Sequence, residues 1–369
     1  MRVTDAQMHR SMRQNVARAL GQINEYQQEI ATGRRFARPS QDPSGTVLAQ
    51  KLQTLMERNT QYQANVDDGA HWVAATEQPL STVQELLSQL KEIALRGGDD
   101  SNGERGTLGS SVDQLLQELV EQANATDGDR HLFGGYRTQS PPYAKSTTVA
   151  SETFRAGLGT EVDLANAKLT TGSVVVRSTS GTVTYREGVD YRIDYEKGRI
   201  EAIAGGAMIG GTDYTASYTT ATTSAVPAQG TLTGDILRQI GPERTEPINL
   251  TGPQVFTNGS NLFQLAIDLK NALWKNDGDK VRALVAGIDT AIADVGKQVG
   301  LLGARSAALE TQRQLLASDH LTLEEHLSQV RDTDLPETMV RLQAQQNAYQ
   351  AALAATSRMF QMSLTNFLQ

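Results

Sequence analysis

DKVRALVAGIDTAIADVGKQVGLLGARSAALETQRQLLASDHLTLEEHLSQVRDTD, residues 279–334, decides the fold. Val281, Ile288, Val295, Leu302, Leu309, Leu316, Leu323 and Val330 occupy every seventh position without a miss. A seven-residue apolar period sustained over this length is the pattern of a long helix that supercoils against helical partners. The pattern predicts a helical rod segment ending at Leu335-Pro336, where the residue before proline is pushed out of helical geometry.

Downstream, Glu337 to Leu368 reads as a further helix. Met339, Leu342, Gln346, Tyr349, Leu353, Thr356, Phe360, Ser363 and Phe367 recur in steps of three and four, which places them on one stripe. The other end of the chain mirrors this. Thr4 with Gln7 makes a capping-box pattern, and Met8, Met12, Val16, Ala19, Ile23, Tyr26 and Ile30 follow at helical spacing. Gly33 is a natural left-handed stop. Asp42-Pro43 pairs a capping acid with proline in the first turn. It opens a helix carrying Leu48, Leu52, Leu55, Tyr62 and Val66, with a kink or break predicted at Pro79 and the stripe resuming from Leu80 to Ile93. A third helix is predicted near Thr107 to Ala125.

Between the helical halves the composition shifts. From about Thr147 to Thr223, Thr, Val, Ser, Gly and Tyr dominate. Short strands are predicted at Ser173–Arg177, Thr182–Tyr185, Tyr191–Tyr195, Arg199–Ile203 and Asp213–Tyr218, separated by glycine-bearing turns. Pro227 to Pro253 reads as a loop-rich return, and helices resume near Asn261. The predicted fold class is therefore mainly α with an inserted β domain: a long antiparallel helical rod with terminal coiled-coil helices. The expected divisions are 1–40 with 335–369 as a terminal helical assembly domain, 41–145 with 255–334 as the helical rod, and 146–254 as the β-rich insert.

The 369 residues contain only 5% aromatics and carry a net charge of −8, with a mean hydropathy of −0.40 and a pI near 5.3. Several narrow modules suit this composition better than one large core. The acidic balance argues against a dominant nucleic-acid or anionic-membrane role. No stretch is apolar enough to span a bilayer, and Met1 to Asp5 does not open a secretory signal peptide. With no cysteine, disulfides, thiolate metal sites and cysteine nucleophiles are excluded.

Catalytic and ligand-binding patterns are weak throughout. His320 and His326 are six apart on one helix, not the four that puts two ligands on one face. Asp99 to Glu104 lacks the order of an EF-hand loop. No phosphate-binding glycine motif or Gly-x-Ser-x-Gly elbow occurs. No catalytic, cofactor-binding or metal-binding residue is expected, and no cofactor. Arg34, Arg35 and Arg38 form the one basic cluster; intersubunit ion pairs or solvation explain it better than phosphate binding. The terminal stripes lack the lysine-rich polar face of a membrane-surface helix. They read instead as an assembly seam: Met8, Met12, Val16, Ile23, Tyr26 and Ile30 in the N-terminal helix, and Met339, Leu342, Tyr349, Leu353, Phe360 and Phe367 in the C-terminal one.

Gln28 to Gly45, QEIATGRRFARPSQDPSG, resembles the N-terminal signature of the flagellin superfamily: a helix end, Thr-Gly, basic residues, then an acid followed by Pro-x-Gly. Gly33, Arg34, Arg35, Asp42, Pro43 and Gly45 carry it, with Gln41 in place of an acid and Ser44 in place of alanine. Gln350 to Leu368, and Leu132-Phe133-Gly134-Gly135 ahead of a small β segment, are similar to the hook-associated branch of that superfamily. The resemblance covers roughly 1–145 and 255–369. It implies a non-enzymatic, extracellular component of the bacterial flagellum at the hook–filament junction. Implied partners are other copies in a ring, a hook-associated protein 1 type junction partner, flagellin and a flagellar export chaperone. It also implies type III export without a cleaved signal. A short filament flagellin, or an unrelated coiled-coil adhesin with a β head, are the alternative readings.

Overall fold

The structure is a computed structural model and describes residues 5–99 and 103–367. In chain order the elements are α1 (Asp5–Thr32), α2 (Pro43–Gly97), α3 (Arg105–Ala123), β1 (Thr126–Asp127), β2 (Arg130–His131), β3 (Thr148–Arg155), β4 (Val162–Asp163), β5 (Val175–Ser178), β6 (Thr184–Tyr185), β7 (Tyr191–Asp194), β8 (Arg199–Ala202), β9 (Asp213–Thr219), β10 (Leu237–Gln239) and β11 (Thr245–Pro247). A π-helical turn, Pro253–Thr257, leads to α4 (Leu262–Trp274), α5 (Gly278–Arg331) and α6 (Leu335–Phe367). The chain is thus mainly helical with an inserted β region. The Thr4–Gln7 capping box lies outside the described residues at Thr4. Packing divides the chain into two compact units, residues 1–63 with 314–369 and residues 64–313.

In the first unit α1 packs on α6. Gln345 Nε2 donates to Gln22 Oε1 at 2.7 Å, and Thr333 Oγ1 lies 3.5 Å from Glu29 Oε2, so the two helices run antiparallel. Phe36, Ala49, Leu52 and Leu327 form a small core, flanked by Met56, Leu323 and Val330. Asn59 Nδ2 donates to the Leu316 carbonyl at 3.1 Å.

In the second unit the five heptad residues Val281, Ile288, Val295, Leu302 and Leu309 are all buried. Ion pairs Lys91–Asp289 (2.6 Å) and Asp67–Arg313 (2.9 Å) flank the α2–α5 seam. α3 packs on α4. The sequence predicts a kink or break at Pro79, and α2 is not broken there. Proline removes one helical hydrogen bond. Here Trp72, Val73 and Thr76 before it, and Leu80, Val83, Leu86 and Leu87 after it, are all buried, so packing holds the helix where local chemistry would interrupt it.

The break predicted at Leu335-Pro336 is present a few residues earlier, at 332–334. α5 stops at Arg331 and Leu335 opens α6, with Pro336 in the first turn, where a missing N–H is harmless. Asp334 caps this helix, its Oδ1 accepting from the Glu337 amide at 3.1 Å.

The β insert contains two antiparallel sheets, of order β3-β9-β5-β6 and β4-β8-β7. They share one core that includes Phe154, Leu164, Val176, Tyr191, Ile200, Tyr214 and Tyr218. The predicted strands correspond to β5 to β9 with small shifts at their ends. β3 went unpredicted because it is an edge strand in which only Phe154 is fully buried, so its pattern hardly alternates. The supposed loop 227–253 contains the β10–β11 hairpin.

A buried polar network fastens the insert to α3 and α4. Lys270 Nζ, 1% exposed, lies 2.7 Å from Asp113 Oδ1. It also donates to Thr222 Oγ1 (3.2 Å) and to the Thr223 carbonyl. Asn271 accepts from the Ala167 amide and donates to Asn166, each at 3.1 Å, and Asn166 donates to Tyr218 Oη. Burial pushes the Lys270 pKa down, with Asp113 opposing it.

Two outcomes follow from this arrangement. Asp113→Ala would leave a buried ammonium without its carboxylate and is expected to cost about 3–5 kcal/mol in thermal unfolding. Excising 147–224 is expected to preserve the helical circular dichroism signal. The Ser146 amide donates to the Ala225 carbonyl at 2.9 Å, so the cut ends already meet, and Lys270 would then face water.

Candidate assembly interface

The signature loop between α1 and α2 is built from a few specific bonds. Gly33 adopts φ +67°, which ends α1 at no steric cost. The Arg35 amide donates to the Arg331 carbonyl at 2.7 Å, and the Thr333 amide donates to the Gly33 carbonyl at 3.0 Å. Gln41 Oε1 accepts from the amides of Ala37 (2.8 Å) and Arg38 (3.0 Å). The amide oxygen of Gln41 therefore acts as an acceptor without needing a charge.

Asp42 caps α2. Its Oδ1 accepts from the Gly45 amide at 2.8 Å and from Ser44 Oγ at 3.0 Å, while Oδ2 lies 3.3 Å from Arg35 Nη2. These bonds, the amide of Gly45 first, hold the Asp42 carboxyl below its ordinary pKa. A Cβ on Gly45 would sit 2.4 Å from Asp42 Oδ2 and 3.0 Å from the Phe36 ring, so a larger residue would displace the Asp42 cap. Phe36 is buried in the small α2–α5 core. It is the residue of this loop that sequence reasoning missed; an aromatic in a polar loop was the available signal.

On the α1–α6 pair, Ile23 is buried, and Met12, Val16, Tyr26 and Ile30 are half-buried. Across from them Leu342 and Tyr349 are half-buried, whereas Met339 is 54% and Leu353 43% exposed. The side chains of Met8, Phe360 and Phe367 lie outside the described residues. The inward stripe of α6 runs Thr338, Leu342, Gln345, Tyr349, Ala352, Thr356, of which Thr338 is buried and the rest half-buried. Sequence reasoning missed Thr338, Gln345 and Ala352 because they are polar or small. Their signal was spacing alone. Burial raises the pKa of Glu29, which faces this seam.

His71 and His131 each have a hydrogen-bonding partner. His71 Nε2 lies 3.2 Å from Asp127, and His131 Nδ1 lies 2.8 Å from the Asn124 carbonyl. Among the described residues no group of three His, Cys, Asp or Glu could hold a metal, and no helix is long and apolar enough to cross a membrane.

Ile23→Ala is expected to loosen α1 on α6 by about 2–5 kcal/mol, read as faster amide exchange in both helices. Asp42→Ala should lower the thermal midpoint at neutral pH. The Asp42 pKa is lowered on folding, so its contribution is present above the ordinary carboxylate range and is lost as pH falls through the folded value. The gap between variant and parent should close in acid.

Comparison with known proteins places both helical ends in one family. The bacterial flagellin N-terminal helical region matches residues 3–138, and the bacterial flagellin C-terminal helical region matches residues 285–368. The insert, residues 140–231, matches a protein family of unknown function, UCP028589. Flagellar hook-associated protein 3 of Escherichia coli is 26% identical over 148 residues, 39% of this chain and 47% of that protein. Its Salmonella typhimurium counterpart is 25% identical over 150 residues, 40% of this chain and 47% of that protein. The chain thus spans about half the length of the curated relatives it matches. A solved structure from Vibrio parahaemolyticus, assigned as a flagellar hook-associated protein, shares the fold. Its TM-score is 0.53 at 16% identity, over 79% of this chain and 100% of that one. With its N-terminal and C-terminal helical regions both matched, together more than half its length, the chain belongs to the bacterial flagellin family.

Proposed function

We propose that this chain is a structural building block of the bacterial flagellum that joins the hook to the filament. The observation that carries the reading is the pairing of α1 with α6, the first and last helices of the chain, each within a matched flagellin helical region, together with the similarity of about 150 residues of the chain to hook-associated protein 3. A monomer that exposes Leu20, Met339, Val340 and Leu353 on these helices presents apolar side chains for a neighbour to cover. Its partners on this reading are further copies of itself in a ring, a hook-associated protein 1 type junction protein, flagellin and an export chaperone. It works outside the cell, exported without a cleaved signal, and its role is mechanical, not catalytic.

Antibody raised against the insert should label purified flagella only where hook meets filament. Label along the whole filament would make the chain a filament subunit and sink the junction reading. Leu353→Asp should abolish assembly and motility in a complemented deletion strain while leaving the monomer's thermal transition in place. A charge on a 43% exposed site costs the monomer little, but under a covering subunit it lacks a partner. Normal motility in that strain would remove the terminal helices from the mechanism.

A further inference from the structure

The first unit has an uneven charge distribution. Residues 1–63 carry nine Lys and Arg against five Asp and Glu, while residues 314–369 carry three against six. Part of the imbalance lies at two surface clefts. One, of about 210 Å³, lies over the signature loop and is lined by Arg34, Arg38 and Arg331. The other, of about 530 Å³, lies along α5 and is lined by Glu324, Glu325 and Asp332, with Arg331 shared between the two clefts. Between Gln314 and Val330 there are three acids and no Lys or Arg.

The basic cleft is rigid. Gln41 pins the Ala37 and Arg38 amides, Asp42 holds Arg35, and Phe36 anchors the loop in the core. Arg35 is thereby used inside the loop, and Arg331 has Asp332 at 3.0 Å. Among the described residues, Arg34 and Arg38 have no carboxylate within ion-pair distance, and neither do Glu324 and Glu325 have a cation. A guanidinium pair on a loop of fixed backbone faces solvent, and on α5 a carboxylate pair without a cationic partner does the same, Glu325 accepting from Gln329 Nε2 at 3.2 Å.

We infer that the Arg34/Arg38 cleft of one copy receives the Glu324/Glu325 face of α5 from a second copy. The inference rests on the reading of the chain as a self-assembling flagellar component, and it names which surfaces meet. Guanidinium groups favour carboxylates through charge-assisted, paired hydrogen bonds. Each such pair at a surface is weak and salt-sensitive alone, but a contact between two different patches repeats from copy to copy. The same contact fixes the order of subunits, since like patches repel.

The chain contains no cysteine, so introduced thiols report contact without background. Full-length Ala37→Cys and Ser328→Cys chains, which place thiols in the two clefts and keep all four charges, mixed under mild oxidant, should give a disulfide-linked heterodimer on a non-reducing gel. The link should be strong at about 0.05 M salt and lost at about 0.5 M, where screening shortens to a few ångströms. A chain carrying both cysteines should give a ladder of multimers; dimers alone would overturn the head-to-tail order. In the charge test, Arg34→Glu with Arg38→Glu should abolish association. Mixing that chain with a Glu324→Arg, Glu325→Arg chain should restore it. Circular dichroism verifies that each variant is folded. Absence of the heterodimer, a link indifferent to salt, or failure of the swapped pair would overturn the contact, and loss on Arg reversal without rescue would assign the cleft to another anion. Labelling at the hook end with no cross-link leaves the junction reading and removes this contact; cross-linking with label along the filament does the reverse.

Discussion

Val281, Ile288, Val295, Leu302, Leu309 and Leu316 are buried, and Leu323 and Val330 are half-buried. This seam of α5 is the element on which the rest of the structure depends. A helix of 54 residues with polar flanks has no reason to persist in water without a partner, because helix nucleation is unfavourable and packing supplies most of the stability. α2 is that partner in both units, through Leu52 and Ala49 against Leu327 in one, and through the seam flanked by Lys91–Asp289 and Asp67–Arg313 in the other. The turn out of α1 and the turn into α6 are tied to each other by the Arg35–Arg331 and Thr333–Gly33 backbone bonds. That is how helices from the two ends of the chain come to be neighbours.

The β insert is held by a different kind of force. Its own core is apolar and aromatic, but its attachment is a buried ion pair and a chain of amides, Lys270–Asp113 and Asn271–Asn166–Tyr218. Apolar packing is tolerant of small shifts, while a buried polar network is satisfied in few geometries. This form of attachment gives the insert a definite orientation on α3 and α4. Lys275, which donates to the Leu164 carbonyl, extends the same pattern.

The signature loop combines both principles. Gly33, Asp42, Pro43 and Gly45 are each explained by one local requirement: a left-handed turn, a helix cap, a first-turn proline and a contact too close for a Cβ. Phe36 fastens the result to the helical core, and Arg34 and Arg38 remain outside it. A loop rigid enough to present two guanidinium groups without using them locally has the properties of a contact surface.

The sequence by itself determined the helical periods, the α1 stop at Gly33, the α2 start at Asp42-Pro43, the place of the insert, the absence of thiol chemistry and the resemblance of both ends to flagellins. Each is a matter of spacing or of single-residue backbone chemistry, which neighbouring residues suffice to set. Only the tertiary structure decided that α2 passes through Pro79 and that β3 is a strand. In each case partners distant in the chain outweigh local preference. It alone showed that the inward stripe of α6 uses Thr338, Gln345 and Ala352 while Met339 and Leu353 face out. A stripe read at fixed steps cannot distinguish a small or polar residue under a neighbouring helix from an apolar one beside it. The Lys270 network was equally illegible, since Asp113, Asn166, Thr222 and Asn271 are polar residues scattered over more than a hundred positions and meet only once the chain has folded.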